Sequence, residues 1–167
     1  MEEFIQLKKD NVCRIKVKDQ EGKERGVLEF DLEDIELPIR YEKMFEMHRQ
    51  NESWARHQLL IIDKKQDVPG KVLSKNEMAK LKVIKEFYLK DMKALDMFLG
   101  EGKTQMILDI MGRKPYLSMF DDIGEALTPI NKILEENSKI TEEKIKDKYK
   151  IETESIIEWK TILSTQK

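Results

Sequence analysis

Few side chains in this sequence have the types and spacing that chemistry demands, and the most suggestive group is Gly102-Lys103-Thr104. A phosphate-binding loop ends this way because successive backbone amides wrap the phosphate oxygens while the lysine and the hydroxyl complete the cradle. Such a loop also needs a glycine five positions before its second glycine, and Met97 stands there. It should follow a buried strand, whereas the residues before this corner carry a helical pattern. The spacing predicts a helix stop followed by a polar helix start, and not a nucleotide site.

The other reactive side chains are no better placed. His48 and His57 are nine positions apart, which does not put two imidazoles on one helical face as a zinc pair requires. Asp121, Asp122 and Glu125 cluster near a helix start, where the backbone dipole favours negative charge and accounts for them without metal or acid–base work. Cys13 is the single cysteine; it cannot close an internal disulfide and reads as a small buried hydrophobe. Neither it nor any serine has a recognisable base and orienting acid, so nucleophilic catalysis lacks its parts. The expectation is no catalytic residue, no metal and no cofactor.

Composition narrows the class further. The 167 residues suffice for one ordinary domain with appendages, and the net charge of −2 is made of interspersed positive and negative residues. No global field draws such a chain onto phosphates, so nucleic acid is not the expected partner. The longest apolar runs fall far short of the roughly 20 residues a membrane span needs. Met1-Glu2-Glu3 starts acidic and leads into no sustained apolar stretch of the secretory kind, which gives the cytoplasm in which the chain is made as the expected location.

The elements that position these groups follow from periodicity. Cys13, Ile15 and Val17 alternate with Arg14, Lys16 and Lys18, and the alternation returns as Leu28, Phe30 and Leu32 against Glu29, Asp31 and Glu33. Period two on both sides of a turn predicts a β-hairpin over about 12–33, with one apolar face and one face of cross-strand charge pairs. Ile5 and Leu7 could add a third short strand. Pro38 suits the first turn of a helix over about 38–64, which either runs through or breaks near Asn51. Ser74 with Glu77 forms a capping box for a helix over 75–99, with a stripe of Leu81, Ile84, Tyr88, Met92, Leu95 and Leu99 widened by Phe87, Ala94 and Phe98. Gly100 stops it. A short helix over 103–111 and a closing one over 115–136 follow, with Pro129 forcing either a kink or a fresh start capped by Thr128.

The expected fold class is therefore α+β, mostly α: one domain over 1–137 with a hairpin packed on a helical bundle, and a charged extension over 138–167 that reads as a marginal helix or a mobile tail. Nine methionines are many for this length; several fall on helix stripes, where they fill a core or furnish an adaptable groove for another polypeptide. Trp54 and Trp159 lie in polar surroundings, and each is either a contact anchor or partly packed on its own domain.

The order of a strand Leu28-Glu29-Phe30-Asp31-Leu32, a helix with Tyr41-Glu42-Lys43, a long helix ending Phe98-Leu99-Gly100-Glu101-Gly102-Lys103-Thr104, then Ile110-Met111-Gly112-Arg113-Lys114 and a closing helix resembles the tail assembly chaperones of long-tailed bacteriophages and prophages of Gram-positive bacteria. The resemblance covers roughly 26–136. It implies a protein that is not an enzyme, that holds the tape measure protein soluble and helps recruit tail tube protein before leaving the finished tail. Self-association is left open. On that reading Phe87, Met92, Leu95, Met119 and Ile123 either pack the core or continue into a groove for tape measure helices, with Trp159 as a further contact. The competing class is a structural virion component, such as a tail completion or adaptor subunit. A DNA-gripping regulator is disfavoured by the balanced charge.

Overall fold

A computed structural model describes residues 11–149, which fold as a hairpin followed by four helices. Strands β1 (Val12–Lys18) and β2 (Glu24–Asp31) are antiparallel, with Cys13 opposite Phe30 and Ile15 opposite Leu28, and a bulge between Val17 and Lys18. The apolar and charged faces separate as the alternation predicts. On the charged face Arg14 donates to Glu29 at 2.8 Å and Lys16 to Glu24 at 2.7 Å. The turn is held by Asp19, whose carboxylate accepts from the Glu21 and Lys23 amides and from Arg25. The Arg25 hydrogen bond and the Lys23 amide keep that carboxyl below the usual range. Ile5, Leu7 and Trp159 lie outside the described residues.

Helix α1 (Glu36–Asp63) begins where the Asp34 carboxylate accepts the Glu36 amide at 2.9 Å, carries Pro38 in its first turn, and runs through Asn51 unbroken. Helix α2 (Lys75–Leu99) starts on the reciprocal Ser74–Glu77 capping box and packs antiparallel along α1. Asn76 ties the two together by donating to the Lys65 carbonyl at 2.9 Å, and Lys80 pairs with Asp63. The centre of the α2 core face differs from the expected stripe. Phe87, Asp91, Ala94, Leu95, Phe98 and Leu99 are the buried residues, whereas Leu81 is half exposed. Phe87, Ala94 and Phe98 lie towards the middle of the face that meets α1 and the hairpin, and Leu81, five turns before Leu99 on the same edge of that face, is left half exposed.

Three aromatic rings close the core between hairpin, α1 and α2. Phe30 stacks on Phe98 with centroids 5.0 Å apart, and Tyr41 meets Phe98 edge-on at 4.9 Å. Burial pushes the Tyr41 hydroxyl above its ordinary pKa. Helix α3 (Lys103–Ile110) lies against the hairpin, and Gly26 permits the approach: a Cβ there would stand 3.0 Å from Ile110 Cδ1.

The described chain divides into two compact units, one up to Leu127 and one from Thr128 on. Helix α4 (Met119–Lys148) begins in the first, and it starts and ends later than the expected 115–136 segment. Residues 113–116 are irregular and 117–118 form a turn instead, closed by the Met119 amide donating to the Tyr116 carbonyl at 3.1 Å. The helix is continuous through Pro129, with no new start at Thr128. It also continues through 138–148, where a marginal helix or tail is expected from sequence. Glu135–Lys139 and Glu142–Lys146 pairs at i,i+4 favour that continuation, each modestly. In the second unit Ile130 and Leu134 are buried, while Ile140, Ile145 and Tyr149 are exposed. No helix among the described residues is long and apolar enough to cross a membrane.

Candidate functional site

The corner after α2 shows what occupies the phosphate-loop look-alike. Gly100 has φ 107° and Gly102 φ 75°, both in the region that side chains avoid, so the chain can reverse within three residues and start α3. The amides at a helix start have no partner within the helix and must find one elsewhere. Asp96 supplies it from the last turns of α2: its carboxylate accepts from Gly102 at 2.9 Å and from Thr104 at 2.8 Å. Thr104 is fully buried, its hydroxyl directed at the Met92 carbonyl 3.4 Å away. The amides that could cradle a phosphate are thus engaged by a carboxylate of the same chain.

A second polar cluster lies inside the helical core. Asp91 is 2% exposed, and its two oxygens face Asn51 Nδ2 at 2.9 Å and His48 Nδ1 at 3.0 Å. The His48 ring stacks flat on Phe120 with centroids 3.8 Å apart, and its Nε2 is 3.7 Å from Glu52. Burial raises the Asp91 pKa, opposed by the hydrogen bonds from Asn51 and His48. An aspartate orienting a histidine is also half of a catalytic arrangement, but no hydroxyl or thiol stands among these contacts to be activated. The cluster pins α1 to α2 at one register. His57 is exposed, and among the described residues no three His, Cys, Asp or Glu side chains stand together as metal ligands.

An apolar groove of about 250 Å³ lies between the hairpin, α3 and the start of α4. Ile15, Val17 and Leu28 form one wall, Ile107 and Met111 the second, and Ile123, Ala126 and Leu127 the third. At its rim the Tyr116 hydroxyl donates to Asp122 at 2.8 Å, and the Arg113 guanidinium sits 3.7 Å over the Tyr116 ring. Burial and the Asp122 carboxylate push the Tyr116 hydroxyl up, so it stays a donor at neutral pH. Lys16 and Lys18 stand on the hairpin side.

The residues expected at a partner surface divide unevenly. Phe87, Leu95 and Met119 are buried and take the core branch of that expectation. Met92 is half buried, and Ile123, although nearly buried, reaches the groove wall. Trp159 is outside the described residues. Trp54 is half buried with Lys90 Nζ 4.8 Å above its ring. Sequence reasoning missed Ile15, Val17, Ile107 and Met111 as groove residues; their alternation and helical spacing marked them as apolar but not as facing a gap.

Compared with known protein families, curated proteins and solved structures, the chain matches none.

Proposed function

We propose that this protein is a non-catalytic bacteriophage tail assembly chaperone that holds a helical segment of the tape measure protein and assists tail tube assembly. The observation that carries the reading is the apolar groove between hairpin, α3 and α4. Its volume of about 250 Å³ lies below the roughly 300–1,000 Å³ typical of small-molecule pockets, and suits one or two apolar side chains presented by another polypeptide. Helix-in-groove recognition works this way, with anchors at i, i+3 and i+4 entering a preformed apolar cleft. The order of elements along 26–136, on which the family resemblance rests, supports the same reading.

Co-expression with the tape measure protein of the same tail module tests it. The client should move into the soluble fraction and copurify with the chain. Ala126→Trp fills the groove from an exposed position on α4 and should abolish this while leaving the thermal midpoint unchanged. A client equally soluble with and without the chain refutes the proposal. Finding the protein at fixed copy number in purified particles replaces it with a structural role in the virion.

A further inference from the structure

The outer side of α2 carries an excess of positive charge. Of its four acidic residues, Glu77 serves the capping box, Asp91 holds His48 and Asn51, and Asp96 takes the α3 amides, while the exposed Glu86, one turn beyond Lys82, pairs with Lys90 at 3.7 Å. Of its lysines, Lys80 pairs with Asp63, and Lys90 is taken by Glu86 and the Trp54 ring. Lys75, Lys82, Lys85 and Lys93 have no acidic partner among the described residues and are exposed. They share the outer side of the helix. Met78, Leu81, Lys85 and Leu89 follow at steps of three and four, and Lys75, Lys82 and Lys93 flank them at steps close to whole turns.

The apolar members of that line are uncovered: Met78 is 47% exposed, Leu81 50% and Leu89 48%. No α2 residue lines the groove described above, so this is a separate surface. A chain with net charge −2 here concentrates positive charge beside apolar side chains. We propose that the outer face of α2 docks an acidic amphipathic helix of a partner polypeptide, its apolar stripe on Met78, Leu81 and Leu89 and its carboxylates beside Lys75, Lys82, Lys85 and Lys93. Charge complementarity selects this occupant over a second α2 face, which would bring lysine against lysine. From Lys75 to Lys93 the face runs about 27 Å, the length of a helix of about 18 residues.

The test is fluorescence anisotropy on the full chain with a labelled peptide of about 18 residues, bearing leucines at steps of three and four flanked by glutamates, beside a version with glutamine for glutamate. The acidic peptide should bind, weaken with added salt, and bind at least about tenfold more tightly than the glutamine version. Lys82→Glu/Lys85→Glu/Lys93→Glu should lower its affinity at least about tenfold, and Leu81→Ser/Leu89→Ser should abolish binding. Lys82→Gln/Lys85→Gln/Lys93→Gln, the milder set, should weaken it in the same direction with an unchanged thermal midpoint. Ala126→Trp should not affect it, which separates this surface from the groove. Equal affinity for both peptides, insensitivity to the lysine changes, or preferential binding to phosphatidylserine vesicles or duplex DNA overturns the proposal.

Discussion

Replacing Asp91 by alanine removes the acceptor shared by His48 and Asn51 and should be among the most damaging single changes in the helical pair. Each hydrogen bond to a charged acceptor contributes about 1.5 kcal/mol, and relief of the buried carboxylate returns part of that, so a loss of about 2 kcal/mol is expected. For a chain of 167 residues that lowers the thermal midpoint by about 4–8 °C. Asp91→Asn should cost less, because an amide oxygen still accepts from Asn51 and the amide group can donate to Nδ1 of the other His48 tautomer. The two variants also separate by pH. Burial raises the folded-state pKa of Asp91 above its unfolded value, so between the two the native state retains a proton that the unfolded chain has lost. This carboxyl's contribution to stability therefore falls as pH rises from about 4 through the raised value, and is unchanged below both. Urea titrations followed by circular dichroism at a series of pH values should show that fall flattened in Asp91→Asn. An Asp91→Ala chain within about 0.5 kcal/mol of the parent, or an Asn variant with the parent's pH slope, would falsify the account.

Asp96→Ala should free the Gly102 and Thr104 amides, speed their hydrogen exchange and cost about 1–2 kcal/mol, the range for a lost helix cap; unchanged exchange at both amides contradicts the assignment. Gly100→Ala forces a side chain into a backbone region at φ 107° that only glycine tolerates, so a loss of about 1–3 kcal/mol in chemical denaturation is expected, and a neutral result sinks it. Ser74→Ala removes one half of the capping box and should lower stability by about 1 kcal/mol with local fraying seen in the α2 amide signals.

What the sequence disclosed and what it withheld divide along one physical line. Features written in neighbouring residues were legible: the alternation around Ile15 and Leu28, the Ser74–Glu77 box and the glycine stop at Gly100 all act over a few positions. Features made by distant residues were not. Asp91 reads on its own as a solvated helix charge, and its partners lie 40 and 43 positions away. The extent of the buried side of α2 was hidden for the same reason, since Leu81 satisfies the helical rhythm on the same edge as buried Leu99 and is nevertheless half exposed. At Pro129 the fresh start did not occur, because the helical preference of the residues around it carried the helix through. Of the candidate site, Ile123 was legible as apolar; that it borders a gap depends on where the hairpin and α3 settle.

The carboxylate at the start of α3 has one more consequence. Because Asp96 is covalently attached and only one tight turn away, it competes for those amides as a tethered ligand at an effective concentration of the millimolar order or above. A soluble anion seeking the same amides must evict a rival that never diffuses away, and a Gly-Lys-Thr string read in isolation conceals that built-in competitor.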